Sequence, residues 1–178
     1  MLKFSFISLF AVAVILLLNS CGDEQIKQTR RLDKAKVEKV LAKMNKEYID
    51  VENGQIDDYL NRRNWSFTKT KTGLRYKIYQ EGVGQVPVSG ATVVIEYEVS
   101  LIRGEVVYSS KNLGPKTFVV DKSDEPSGLH EAIKLMKVGS KAMIVIPSYL
   151  AYGLLGDENK IPQKATLFYD VYLKEVRM

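Results

Sequence analysis

Ala142-Met143-Ile144-Val145-Ile146, a Pro147 stop, Tyr149-Leu150-Ala151-Tyr152-Gly153, a polar loop, and Ile161-Pro162-Gln163-Lys164 leading into Ala165-Thr166-Leu167-Phe168-Tyr169-Asp170-Val171-Tyr172-Leu173 make up the stretch from Ala142 to Val176 around which the chain is organised. Each apolar run is bounded by turn formers, which predicts two strands joined by a long loop tipped with aromatics. Such a pair builds one wall of a concave apolar site. Tyr152, beside Gly153 on the loop, is hard to place in a core, and a loop aromatic of this kind often covers a ligand.

Upstream, Val93, Ile95, Tyr97, Val99 and Leu101 alternate with Glu96, Glu98 and Ser100. The period of two predicts a half-solvated antiparallel strand from Thr92 to Ile102. Arg103-Gly104 then suits a hairpin turn, with Glu105 to Tyr108 returning as the partner. Leu74, Tyr76 and Ile78 alternate after the Thr72-Gly73 turn and give a first strand, and Lys116 to Val120 gives another. Pro126-Ser127 opens a short helix through Leu129, Ile133 and Met136, closed by Val138-Gly139. About five or six antiparallel strands with one short helix make an α+β domain in which each element buries its single apolar face.

Before the strands, Val37, Val40, Leu41, Met44 and Tyr48 recur at helical spacing. Glu52-Asn53-Gly54 reads as a break, and Ile56, Tyr59 and Leu60 as a second short helix. Short helices bury little alone, so these pack on the following domain, act as a spacer, or meet a copy of themselves in a weak dimer. At the amino terminus, Lys3 precedes fifteen uncharged residues from Phe4 to Leu18, a signal-peptide core rather than a span. Leu18-Asn19-Ser20-Cys21 resembles the lipobox of bacterial lipoproteins, which implies cleavage before Cys21 and attachment of diacylglyceryl and acyl chains such as palmitate there. Several chains hold a protein at a bilayer far more firmly than one; an uncleaved signal anchor is the alternative. The expected organisation is therefore 1–20 signal peptide, 21–33 lipidated tether, 34–64 helical extension and 65–178 folded domain, facing the periplasm from a membrane of the bacterial cell envelope.

Composition narrows the chemistry. The 178 residues carry 46% hydrophobic side chains and a net charge of +5, as a folded chain does, without the arginine and aromatic blocks that nucleic acid would ask for. Cys21 is the only cysteine and His130 the only histidine, which leaves no basis for disulfides, a His/Cys metal site or Cys/His catalysis. No cofactor is expected. Glu96 and Glu98 lie on one strand face among lysines and read as wet surface rather than a glycosidase pair.

Gly73-Leu74-Arg75-Tyr76, Val94-Ile95-Glu96-Tyr97, Gly128-Leu129-His130-Glu131-Ala132, Met136-Lys137-Val138-Gly139, Pro147 to Gly153 and Ile161 to Leu167, in this order and spacing, resemble FKBP-type peptidyl-prolyl cis-trans isomerases. With the lipobox and helical prefix, the chain also resembles the gliding-motility-associated lipoprotein isomerases of Bacteroidetes. The resemblance implies an FKBP-like twisted antiparallel sheet wrapped around one short helix, and a pocket for the proline ring of a peptide or the macrolide FK506. It implies Leu129 as floor, Tyr97, Tyr152 and Tyr169 as aromatic walls, Ile161 as aliphatic wall, and Tyr152 as the hydroxyl that meets a ligand carbonyl. From periodicity alone, Tyr97, Leu129 and Tyr169 serve equally well as core.

Three positions depart from the family pattern. Val107-Tyr108 stands where Phe-Asp is usual, which removes an aromatic wall and a carboxylate and leaves the Tyr108 hydroxyl as a substitute. Glu125-Pro126 stands where Val-Ile is usual, and proline has no N–H to offer. Lys116 stands where an aromatic is common. The resemblance implies isomerisation of proline-containing segments in exported or envelope proteins; the departures raise the alternative of a catalytically weak proline-peptide-binding or chaperone module.

Overall fold

The strand read from its alternation is the spine of the sheet. In a computed structural model that describes the backbone of residues 23–177 and side chains from residue 34 onward, it is β3, Thr92–Leu101. Val93, Ile95, Tyr97 and Val99 are buried, and Val94, Glu96 and Glu98 are half-covered on the other face. The signal peptide and the Cys21 lipidation site lie outside the described residues. The other elements are α1 (Asp23–Asn61), β1 (Thr68–Lys69), β2 (Arg75–Gln80), β4 (Val106–Ser109), α2 (Ser110–Leu113), β5 (Lys116–Val119), α3 (Ser127–Ile133), β6 (Lys141–Ile146), a 3-10 turn at Ser148–Leu150, and β7 (Leu167–Arg177).

All strand pairings are antiparallel and run β1-β2-β6-β7-β3-β4, with β5 pairing the first half of β3. The Arg103-Gly104 turn forms as expected, with Gly104 at φ +96° and its N–H donated to Leu101 O at 2.8 Å. The described strands number seven rather than five or six, because two-residue β1 is too short to show a period. The fold is the expected one, an antiparallel sheet wrapping short helices behind an N-terminal helix.

The concave face closes on α3. Leu129, Ala132 and Ile133 from that helix meet Ile95, Tyr97, Ile144, Ile146, Tyr169 and Val171 from the sheet in one buried cluster. The approach is tight at Gly128, where a Cβ would lie 2.5 Å from Ile146 Cγ2, so glycine is required there. His130 is structural. Its Nδ1 accepts from the Asp121 N–H at 3.0 Å, which leaves the proton on Nε2 to be donated to Ser123 O, also at 3.0 Å.

The chain divides into two compact units, Met1–Tyr48 and Ile49–Met178, and α1 contributes to both. In the first, Val37, Val40, Leu41 and Met44 form an apolar stripe with each side chain more than half exposed. Lys43 and Glu47 make an exposed i,i+4 pair at 3.7 Å, an interaction of little energetic weight.

One sequence reading fails along α1. Residues 23–33, read as a tether, carry helical backbone, and the break expected at Glu52-Asn53-Gly54 is absent because the helix runs through it. A helical glycine costs about 1 kcal/mol against alanine, and contacts within the second unit offset it. Ile56 and Leu60 are buried with Val145 beneath Tyr59, Phe67 and Phe168, while Glu52 and Asn53 bond to the chain after β6. Val145 points away from Ile144 and Ile146, yet all three are buried because this part of the sheet is covered on both faces.

Candidate functional site

Leu129 forms the base of the candidate site. It is fully buried on α3, held there by Pro126 O, which accepts the Leu129 and His130 N–H groups at 2.9 and 3.2 Å. Around it stand Tyr97 from β3, Val107 from β4, Tyr169 from β7 and Ile161 from the β6–β7 loop, all buried in the same apolar cluster, with Tyr108 and Tyr152 packed against it. The six residues named from the sequence, Tyr97, Tyr108, Leu129, Tyr152, Ile161 and Tyr169, are thus gathered in one place from five separate elements.

The phenols distinguish a site from a plain core. Among the described residues, the hydroxyls of Tyr97, Tyr152 and Tyr169 have no hydrogen-bond partner, and no fully buried side-chain polar atom is left unpaired. These three hydroxyls therefore open onto space that water reaches, above an apolar floor. Burial pushes the Tyr152 phenol up to about 12, helped by Glu125, Asp157, Tyr108 and Asp124 nearby. Burial, then the neighbouring Tyr152, carries Tyr169 well above its ordinary value. Both remain protonated donors at neutral pH.

Three of the departures from the family pattern, Lys116, Glu125 and Tyr108, are engaged in polar contacts. Lys116 Nζ reaches Glu125 Oε2 at 2.9 Å and stands 5.5 Å from the Tyr97 ring centroid, so the two unusual residues form one ion pair beside an aromatic wall. Tyr108 donates its hydroxyl to Asp157 Oδ2, and Lys160 Nζ lies 5.6 Å from its ring. That hydroxyl is committed to the Asp157 carboxylate. Its pKa is raised, first by the bond to Asp157 and then by burial. Burial alone would raise Asp157, but the Tyr108 hydroxyl and the N–H groups of Ile161 and Asn159 outweigh it and hold the carboxyl below its usual range.

Asp157 is the residue that sequence reasoning missed, since Asp157 to Lys160 reads as a solvated turn. Its Oδ1 accepts from Asn159 N at 3.0 Å and Ile161 N at 2.7 Å, so it braces the loop that presents Ile161. The signal available was the Gly156-Asp157 turn, with a side chain able to accept from backbone two residues on.

A family model described as FKBP-type peptidyl-prolyl cis-trans isomerase matches residues 84–174, just over half of the chain. The chain belongs to that family. The crystal structure of FkpA from Escherichia coli superposes with a TM-score of 0.64 at 31% identity, covering 98% of this chain and 83% of that one. FkpA of Escherichia coli K12 is 35% identical over 164 residues, 88% of this chain and 58% of its own length. The probable FkpA of Neisseria meningitidis serogroup B is 44% identical over 108 residues, 60% of this chain and 39% of its own length. The chain thus spans 39% to 58% of the length of these two curated relatives.

Proposed function

We propose that this chain is a peptidyl-prolyl cis-trans isomerase, with Leu129, Tyr97, Tyr169 and Ile161 forming the box for the proline ring and Tyr152 donating to a carbonyl of the peptide. The observation that carries the reading is the set of three unpaired phenols over the buried Leu129 floor. Rotation about an Xaa-Pro bond faces a barrier of about 18–20 kcal/mol from lost amide resonance. No covalent bond is made or broken, so the site needs only to favour the twisted amide over either planar form. A twisted amide separates less charge than a planar one, which makes a dry pocket a better solvent for it than water. Acceleration of a proline-limited peptide isomerisation by the full-length protein tests this directly; a rate equal to the uncatalysed one at high protein concentration would reject it.

A second reading has specific support. The Tyr108 hydroxyl is engaged by Asp157, and Pro126 brings no N–H to the position before α3. Both favour a weakly catalytic proline-peptide-binding or chaperone module on the same fold. Binding of a proline peptide without rate enhancement would select it.

The clients proposed are proline-containing segments of exported or envelope proteins, met from a lipid anchor at Cys21 on a bacterial membrane and facing the periplasm. The uncharged Phe4–Leu18 run and the Leu18-Asn19-Ser20-Cys21 box support that placement, and with the helical prefix they support the narrower kinship to gliding-motility isomerases. Detergent partitioning that survives Cys21→Ser would reject the anchor. The stripe at Val37, Val40, Leu41 and Met44 suits a weak dimer through the amino-terminal helices, in exchange with monomer; sedimentation independent of concentration would reject the dimer.

A further inference from the structure

The loop that carries Tyr152, Asp157 and Ile161 leaves the sheet at Ile146 and returns at Leu167. One carboxylate holds both of its ends. Glu52 Oε1 accepts from the Ser148 N–H at 2.7 Å and from Thr166 Oγ1 at 2.7 Å, and its Oε2 accepts from Ser148 Oγ at 2.9 Å. Glu52 and its partners Ser148 and Thr166 are all buried, at 5%, 1% and 7% exposure. A buried side chain with this many donors aimed at its oxygens is satisfied rather than stranded.

The next residue continues the contact. Asn53 Nδ2 donates to the Tyr149 hydroxyl at 3.0 Å, and that hydroxyl donates to Thr72 O at 3.0 Å. Arg75, buried in β2, fixes Asn53 in turn, through Nη1 to its side-chain oxygen at 2.5 Å and Nη2 to its carbonyl at 3.0 Å. Gly73 accommodates the arrangement: a Cβ there would fall 2.1 Å from the Tyr149 hydroxyl oxygen, and its φ of +98° already favours glycine.

The geometry assigns Glu52 as a positioning residue for the isomerase site: from the end of α1 it clamps both roots of the pocket loop and so sets where Tyr152 and Ile161 stand. This rests on the isomerase reading for its catalytic consequence, though not for its structural one. Misplacing a binding group by about 1 Å can cost on the order of 10²-fold in rate, and only Tyr149, Leu150 and Ala151 separate Ser148 from Tyr152.

The test uses full-length protein carrying Glu52→Ala or Glu52→Gln, read by turnover of an Xaa-Pro tetrapeptide and by amide hydrogen exchange. With Glu52→Ala, kcat/KM falls about tenfold and amides of residues 148–166 exchange at least about tenfold faster, while those of β3 stay within about twofold of wild type. Glu52→Gln recovers most of both losses, because its amide oxygen replaces Oε1 and the Ser148 hydroxyl can turn to accept from its nitrogen. Unchanged loop exchange in a folded Glu52→Ala protein overturns the assignment. So does exchange that rises equally in loop and sheet, the mark of general destabilisation. If Glu52→Ala does not fold, Thr166→Val removes one contact with little change of shape; faster exchange at residues 161–166 than in β3 supports the clamp, and no difference overturns it. A wild-type protein silent in the tetrapeptide assay rejects the isomerase reading, and the exchange measurement still decides the clamp.

Discussion

The two faces of the sheet are held by different physics. The concave face packs Val93, Ile95, Tyr97, Leu167, Tyr169 and Val171 on Leu129 and Ile133, an almost wholly apolar contact in which shape decides stability. The opposite face at β2 and β6 is covered by the end of α1, where an apolar patch of Ile56, Leu60 and Val145 adjoins polar contacts in which Glu52 and Arg75 are buried and Asn53 and Asp57 half-covered. The apolar face carries the proposed pocket, and the polar one holds the chain that borders it. An apolar site of the kind proposed would thus depend on hydrogen bonds behind the sheet for its geometry.

The largest effect is expected on the apolar face. Leu129→Ala opens a cavity under the pocket and costs about 2–5 kcal/mol of stability. It also removes the proposed floor, so kcat/KM falls more than about tenfold even at a temperature where the variant is fully folded. Denaturant melts and the tetrapeptide assay check the two halves separately. Full activity in a folded variant would remove Leu129 from the site and leave it to the core.

On the polar face, Arg75→Met is expected to cost about 2–3 kcal/mol, less than the largest losses seen for buried ion pairs. Arg75 is 1% exposed and donates to Asp57, Asn53 and Gly73 O. Asp57, with 42% of its side chain exposed, regains water when the guanidinium is removed, so no charge is stranded. The measurement is the urea midpoint. A loss as large as that of Leu129→Ala would mean that the network, rather than the apolar core, dominates stability.

These two residues also mark what was legible in the sequence. The concave face announces itself through period-two alternation, because a strand with one wet side must keep its apolar residues in step. Val93 through Val99 could therefore be assigned without a relative to compare. Arg75 could not, since alternation places a charged residue between Leu74 and Tyr76 in solvent, and only the carboxylate and carbonyls arriving from α1 make its burial tolerable. The same contacts turn Glu52-Asn53-Gly54 from an apparent break into helix, a case of tertiary structure overriding local propensity. Periodicity left Tyr97, Leu129 and Tyr169 divided between core and pocket; the family resemblance singled them out, and the coordinates add the unpaired hydroxyls.

Tyr152→Phe probes the pocket rim with a smaller change. The hydroxyl has no partner to lose among the described residues, so folding stability stays within about 0.5 kcal/mol. One hydrogen bond to the bound peptide, worth about 0.5–1.5 kcal/mol, corresponds to a fall of about two- to tenfold in kcat/KM. An unaltered kcat/KM would assign Tyr152 to packing alone and sharpen the contrast between an apolar site and its polar support.

The smallest effect is expected where polar chemistry intrudes on the apolar face, at Tyr108 and Asp157. Tyr108→Phe removes one part-buried hydrogen bond and costs about 0.5–1 kcal/mol at pH 7. Folding holds the Asp157 carboxyl below the ordinary 3.8, where burial is outweighed by the Tyr108 hydroxyl and the loop N–H groups. On acidification the unfolded chain takes up that proton first, so the stability Asp157 contributes is complete above the ordinary aspartate value and is lost as pH falls through the lower folded value. The gap between wild type and Tyr108→Phe should therefore hold above about pH 4 and narrow as pH falls below the ordinary value of 3.8, where the folded-state acceptor loses its charge. Urea midpoints of both proteins across that range provide the measurement. A gap that stays constant would show that the two side chains contribute through packing, and that the concave face is apolar in its energetics up to its rim.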